Sequence, residues 1–451
     1  MKQGKNSMLF KANNRKFWIT VCLILLFLLA IGGCGALEED RREESTRQDE
    51  NTQPVVIRFA WWGNEERAER TKQAVALFME RNPHVQVQMA YFPFDNYYEN
   101  LEISAKAGYM PDVWQGYVGS ATNNSYMKVG LVEPLDLYVE EGLIDVSDIS
   151  ENLLESGKMD GKLYGISMGC NVKCMAVVPE VYEKAGLEIP EVCYASWEDL
   201  ERDLLMLKEA GYERCGGELF GRDFLFEYFC RQRGERLFQS PDQLAIGFSR
   251  ETYVEFYKMR LQWEEEGLTV PYVDIMNGDA SDTRQKQEKY AVYFLYSNRY
   301  RQRMQERGQE MALLLLPGPN TEMGTDIRPG IHLCMSALSE QKEASAMLID
   351  FLINDVDANR ILNAERGMPA SRKVREVLMA DFDQEQKAMA EIVILAESYS
   401  SPSSPLMKVD TTVIDGGTTG GILEDLEQKI MYGLLTPDEA YDLLERLYGP
   451  E

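Results

Sequence analysis

Histidine is almost missing from this chain: only His84 and His332 occur in 451 residues. That argues against histidine metal sites and against chemistry built on His–His or His–Cys pairs. The eight cysteines are Cys22, Cys34, Cys170, Cys174, Cys193, Cys215, Cys230 and Cys334. No two form a Cys-x-x-Cys pair, which disfavours a zinc ribbon or a thioredoxin-type motif. Cys170 and Cys174, four apart, suit one face of a helix but are loose for metal, so reduced or buried thiols are expected. Positive charge is also in short supply, with 47 Lys and Arg against 74 Asp and Glu and a formal charge of −27. Such a chain repels nucleic acid and anionic membrane surfaces. A glycine run at Asp415–Gly421 has no Lys-Ser/Thr ending, so it does not read as a phosphate-binding loop. No catalytic group, metal or cofactor is expected.

What is present describes a globular body on a leash. Hydrophobic content is 45% and charged content 27%, values of a soluble fold, and the length favours two lobes over one core. Lys2, Lys5, Lys11, Arg15 and Lys16 precede an uncharged apolar run from Phe17 to Ile31. It is short for a transmembrane helix and has the charged flank of a secretory signal. The ending Ile31-Gly32-Gly33-Cys34 resembles the bacterial lipoprotein signal, which implies removal of residues 1–33 and acylation of Cys34. An uncleaved membrane anchor is the alternative. Residues 34–54 are too polar to bury a core and are expected to form a disordered tether. Both readings put the body at the outer face of the cytoplasmic membrane.

The body opens with Val55-Val56-Ile57-Arg58-Phe59-Ala60, a buried-strand pattern, followed by Trp61-Trp62-Gly63-Asn64. Ala68, Thr71, Ala74, Val75, Leu77 and Phe78 then recur near a helical period. Strand, turn and helix make the first unit of an α/β fold, in which ligands sit at the strands' C-terminal ends. Further strands are expected at Val85–Tyr91, Pro111–Tyr117, Tyr290–Asn298, Met311–Leu316 and Pro329–Met335, with a turn at Asp160-Gly161. Phe220, Phe224, Phe226, Tyr228 and Phe229 read as core packing.

Several motifs then fall in a recognisable order. They are Trp61-Trp62-Gly63, Arg67, Phe78 through Asn82-Pro83, Tyr97 through Leu101, Pro111-Asp112-Val113 and Gly161 through Gly165. Ala185-Gly186-Leu187, Ser196 through Leu200, Phe351 through Asp355 and Arg366 through Ser371 follow. This series resembles extracellular solute-binding protein family 1, the sugar receptors of ABC importers, over about Val55 to Val374. Ser167, and Val178-Pro179, depart from the family's proline and Tyr-Asn pair. The resemblance implies a two-lobed periplasmic-binding-protein-like α/β fold of type II, each lobe a sheet flanked by helices, with multiple hinge crossovers. It divides the chain into lobe 1 at 55–168, lobe 2 at 169–296, a return to lobe 1 at 297–342 and a mainly helical completion of lobe 2 at 343–451. It also implies a carbohydrate ligand, an oligosaccharide by preference, and the transmembrane subunits of an ABC permease as partner.

Sugar recognition needs flat aromatic faces for pyranose C–H groups and amides, carboxylates or Arg for hydroxyls. The strand ends supply Trp62, Gly63, Asn64, Glu65, Arg67, Tyr98, Trp114, Gln115, Tyr117 and Tyr296, and the resemblance adds Asn171. If alternation persists to the end of the first strand, only one of Trp61 and Trp62 meets the ligand, and Trp62 is the choice. Core packing competes for Trp62 and Trp114. Glu65, Glu66 and Arg67 also fit a solvated first helical turn. Arg366 either lines the cleft or caps a helix, the latter being preferred. A lipid-anchored glycoside hydrolase is the competing class and needs two carboxylates flanking a bond. A receptor feeding a sensor protein is a third.

Overall fold

The opening strand, β1 (Val55–Trp62), keeps its alternation through both tryptophans. Ile57, Phe59 and Trp61 belong to the main core, whereas Ala60 and Trp62 belong to a second, smaller apolar cluster. A strand buried on both faces needs such a pattern, with apolar residues at odd and even positions alike. Parallel neighbours β2 (Val85–Phe92) and β3 (Val113–Gly116) flank it. Helix α1 (Glu65–Arg81) starts directly after the Trp-Trp turn, where Asn64 Oδ1 accepts the Arg67 backbone N–H at 2.8 Å. That cap satisfies one of the open donors of the first turn. Helix α2 (Phe94–Lys106) follows β2 and buries Tyr97 and Leu101. In this computed structural model the described residues are 54–118, 120–212, 215–216, 225–277, 290–404, 407 and 421–449. The signal segment, Cys34, the tether up to residue 53, Phe220, Phe224 and most of the glycine run lie outside the described residues.

The first sheet has the order β2-β1-β3-β9-β4, where β4 is Ile166–Ser167 and β9 is His332–Met335. Strand β9 is antiparallel to β3 and β4. The second sheet is organised on β5 (Gly169–Val177), nine residues that are all buried. Antiparallel β6 (Val292–Tyr296) and β7 (Ala312–Leu315) pair with its C-terminal half. Short β8 (Ile327–Pro329) and β10 (Met368–Pro369) pair with its N-terminal half. Cys170 and Cys174 therefore sit on a strand, not on the helix their spacing suggested. A separation of four returns to the same face in either geometry. Both thiols are buried and unbridged; burial pushes Cys170 up to about 11.

Three expectations need correction. The expected single strand Pro329–Met335 is two: β8 pairs in the second sheet and β9 in the first, with Gly330 and Ile331 as the crossing between them. The return to the first lobe expected at 297–342 is therefore later and narrower, since β7 belongs to the second sheet. The expected assignment of everything after 343 to the second lobe also fails. Helices α7 (Lys342–Asn354) and α8 (Val356–Leu362) pack on α1 and β1. Arg81, at the end of α1, pairs with Asp355 and with Asp357. Helical periodicity marks the apolar face of such helices but not which sheet receives it. Only from β10 onward does the chain rejoin the second lobe, where α9 (Gln384–Ser398) packs on β5 and β7.

Candidate functional site

Among the described residues, three crossings join the lobes, between β4 and β5, between β8 and β9, and between α8 and β10. They meet around one backbone atom, the carbonyl oxygen of Arg366. A Cβ on Gly330 would stand 2.0 Å from that oxygen, and one on Gly169 would stand 2.6 Å from it. Only glycine admits so close an approach. Gly367 has φ +98°, a conformation that other residues rarely adopt. The Gly330 N–H donates to the Gly169 carbonyl at 2.7 Å and Met168 N–H to Ile331 C=O at 2.9 Å. Backbone hydrogen bonds thus tie the crossings to each other, and the C-terminal ends of β1 and β3 abut this seam.

The Arg366 side chain leaves the seam toward the first lobe and is 94% buried, its relative exposure being 6%. With the Gln115 amide oriented so that Oε1 faces the guanidinium, Arg366 Nε donates to it at 2.6 Å and Nη2 at 3.0 Å. Nη2 also donates to Thr71 Oγ1 on α1, at 2.7 Å. Arg67, one turn earlier on α1, donates from Nη2 to the Glu365 carbonyl at 2.8 Å. Burial lowers Arg366, with Arg67 pushing in the same direction, to about 9. Arg366 Nη1, Arg67 Nε and Asn171 Oδ1 are buried with no hydrogen-bond partner. Asn171 lies against Gly367. Four sites named from sequence or resemblance, Gly63, Arg67, Gln115 and Asn171, are therefore gathered here: a Cβ on Gly63 would touch the Arg67 side chain. Arg366 joins them as a lining residue and not as the helix cap preferred from sequence. The signal for it was present in Glu365-Arg366-Gly367, where a glycine follows a charged residue at a chain crossing.

The aromatic side is built differently. Trp62 is only 5% exposed because rings of its own lobe cover it. Tyr97, Tyr98, Phe94 and Tyr117 stand at centroid distances of 4.9, 5.8, 5.8 and 5.8 Å. Tyr97 donates its hydroxyl to the Gln115 carbonyl at 2.7 Å and is itself buried. Trp114 is fully buried in the same small cluster as Ala60, Leu101 and Cys334. Its expected place in a ligand site is corrected to core, because β3 alternation turns Trp114 toward α2 and Gln115 toward the seam. Phe94 and Tyr117 are the exposed rings, at 54% and 37%. Phe94 opens α2 instead of ending a strand, so strand-end reasoning does not reach it. Burial raises the Tyr117 and Tyr98 hydroxyls, so both stay protonated donors. Asn64 and Glu65 face solvent at the start of α1, Asn64 as its cap. That fits the solvated first turn.

Across the seam, Asn171 pairs in register with Arg328 on β8. Lys173 Nζ lies 2.8 Å from Glu227 Oε2, and Arg328 pairs both with Glu227 and, at 2.6 Å, with Asp326. Tyr296 ends β6 opposite Lys173 and is not in the Trp62 ring cluster. Burial alone would raise Glu227, but Arg328 and Lys173 outweigh it and hold its carboxyl well below the usual range. None of these three charged residues was singled out from sequence, because 54 residues separate Lys173 from Glu227 and only the fold joins them.

Two sizeable cavities lie elsewhere. A groove of about 1030 Å³ is lined by Trp197, Phe229, Val254 and Met259 among others, and a smaller one of about 250 Å³ lies between β2 and α2. In the larger groove the two lining arginines are already paired, Arg233 with Glu255 at 2.7 Å and Arg250 with Asp442 at 2.5 Å. The seam instead brings the unpartnered Arg67 Nε, Arg366 Nη1 and Asn171 Oδ1 to the place where the chain crossings converge, which makes it the better candidate site.

Comparison with known proteins bears on the family and the fold. A profile of bacterial extracellular solute-binding proteins matches residues 62–321. A protein of Brucella abortus (strain 2308), named as a binding protein, is 23% identical over 337 residues, covering 73% of this chain and 78% of its own. An extracellular solute-binding protein family 1 structure from Alicyclobacillus acidocaldarius is 24% identical with a TM-score of 0.74, covering 88% of this chain and 98% of its own. A periplasmic oligogalacturonide-binding protein from Yersinia enterocolitica is 21% identical with a TM-score of 0.70, covering 87% and 98%. With the matched profile spanning more than half of it, this chain belongs to the bacterial extracellular solute-binding protein family.

Proposed function

We propose that the protein is a lipid-anchored, extracytoplasmic receptor that traps a carbohydrate, an oligosaccharide by preference, between its lobes and delivers it to an ABC importer. The observation that carries this reading is the seam itself. Exposed aromatic faces at Phe94 and Tyr117, the half-buried Tyr98, and unpartnered polar atoms on Arg67, Arg366 and Asn171 lie where three chain crossings allow hinge motion. Apolar walls with a few aimed polar groups are the usual form of a small-molecule site, and hinge closure around a ligand is the general motion of periplasmic binding proteins. The oligogalacturonide-binding neighbour supports a saccharide as the ligand. Binding here proceeds without bond breakage, so the sugar is released unchanged. Calorimetry against mono- and oligosaccharides tests the reading. Saturable binding with the saccharide recovered intact is the expected result. Silence across the panel, or recovery of cleaved products, contradicts it. Replacing Cys34 by Ala is expected to release the protein from the membrane into the medium; retention contradicts the lipid anchor.

A further inference from the structure

We propose that Arg67 and Arg366 form an anion subsite that takes the carboxylate of an acidic sugar residue, a uronate. This rests on the seam being the saccharide site. The two side chains reach the same place, Arg366 donating to Thr71 one turn from Arg67 and Arg67 donating to the Glu365 carbonyl. Arg67 disfavours the charged form of Arg366, and the Glu365 carboxylate offsets this in part without a hydrogen bond to it. Each keeps one buried nitrogen without a partner, Nε on Arg67 and Nη1 on Arg366. The remaining contacts of both side chains are to neutral oxygens, those of Gln115, Thr71 and the Glu365 backbone. No carboxylate of the described residues hydrogen-bonds to either group, in a chain with 74 acidic residues. Other buried cations do have a carboxylate: Lys173 shares Glu227 with Arg328, Arg260 holds Glu427 at 2.8 Å, and Arg375 pairs with Glu397. A buried guanidinium with no carboxylate hydrogen-bonded to it, beside a half-buried second one, is costly, and a planar carboxylate is the group whose two oxygens accept from two such N–H groups at once. The unpartnered nitrogens are shielded from solvent, so the anion reaches them as the lobes part and stays as they close. Thr71 and Gln115 hold the Arg366 fork in place, and the Asn64 cap begins the helix that carries Arg67.

Titration calorimetry with trigalacturonate, its fully methyl-esterified form and a galactose sulfate ester tests this. A charge-assisted pair of hydrogen bonds predicts tighter binding of the acid than of the ester by about tenfold or more. In Arg67→Gln the acid loses at least tenfold more affinity than the ester does, so the preference disappears, and Arg366→Lys retains part of it. If Arg366→Gln fails to fold, judged by its thermal melt, Arg67→Gln and Arg366→Lys still decide the matter. Equal affinity for acid and ester overturns the subsite and leaves the receptor reading standing. A sulfate ester bound as tightly as the uronate overturns the assignment to a carboxylate. Silence for every saccharide overturns both readings.

Discussion

The two sides of the seam bury charge in opposite ways. On the second lobe, Lys173 and Arg328 face Glu227 and Asp326, and Arg231, hydrogen-bonded to the carbonyls of Gly324, Thr325, Ser401 and Pro402, also acts on the Glu227 carboxylate. On the first lobe and hinge, Arg67 and Arg366 donate to neutral oxygens and repel each other, with the Glu365 carboxylate offsetting this in part and hydrogen-bonding to neither. A balanced cluster meets its own electrostatic needs and serves to fix strands and helices relative to one another. An unbalanced one is less stable alone than with a partner, so ligand binding gains free energy that the apo fold lacks.

The largest effects expected from this contrast fall on the balanced side. Glu227→Gln leaves Lys173 and Arg328 short of one carboxylate and is expected to cost about 3–5 kcal/mol in a denaturant titration. Arg366→Gln, which removes an already unneutralised charge, should cost about 1–3 kcal/mol through lost hydrogen bonds. A reversed order would break the comparison. Trp62→Ala sharpens the aromatic half of the same wall. With four rings packed around it, truncation is expected to cost about 3–5 kcal/mol, and an unchanged melting curve would show that the ring is not core.

His332 provides a third kind of buried titratable group, neither paired with charge nor left without partners. Its Nδ1 accepts the Val118 backbone N–H at 3.2 Å, and Nε2 lies 3.1 Å from Ser156 Oγ. The ring is therefore the neutral tautomer protonated on Nε2, and burial pushes it down to about 3. Since the unfolded chain protonates this histidine near pH 6.5 and the folded chain does not, stability is full above that pH. It falls as pH drops toward 3, by roughly 1 kcal/mol per unit. Stability measured between pH 6.5 and 5, above most carboxylate titrations, should show this slope in the parent and lose it in His332→Gln. An unaltered slope would assign it to other groups. The smallest stability change is expected for Tyr117→Ala. This exposed ring can be lost for less than about 1 kcal/mol, yet saccharide affinity should drop measurably; unchanged affinity would remove Tyr117 from the site.

Sequence reading reached the first unit of the fold because its signals are local. The apolar run of β1, the Asn64 cap and the spacing of Ala68, Thr71, Ala74 and Phe78 all lie within one short segment. Alternation correctly sent Trp61 and Trp62 to opposite sides, but it could not show that Phe94, Tyr97, Tyr98 and Tyr117 would fold over Trp62. Trp114 failed as a ligand contact for the related reason that strand position gives a side chain's face and not what packs on that face. The seam was half legible: Arg67, Gln115 and Asn171 were named, while Arg366 was assigned to a helix cap and Arg328 and Glu227 were missed. Those residues acquire a role only where crossings far apart in sequence converge on Gly169, Gly330 and Gly367. Domain boundaries failed where β8 and β9, with only Gly330 and Ile331 between them, belong to different sheets.

Hydrogen–deuterium exchange with the tightest-binding saccharide of the calorimetric panel tests the central claim, that the ligand sits at the hinge seam, most directly. The account predicts slowed exchange at the backbone amides of Gln115–Tyr117, Met168–Asn171 and Arg366–Met368, with the helices around the larger groove unchanged. Protection confined to that groove, around Trp197, Phe229 and Val254, with the seam unaffected, would contradict it.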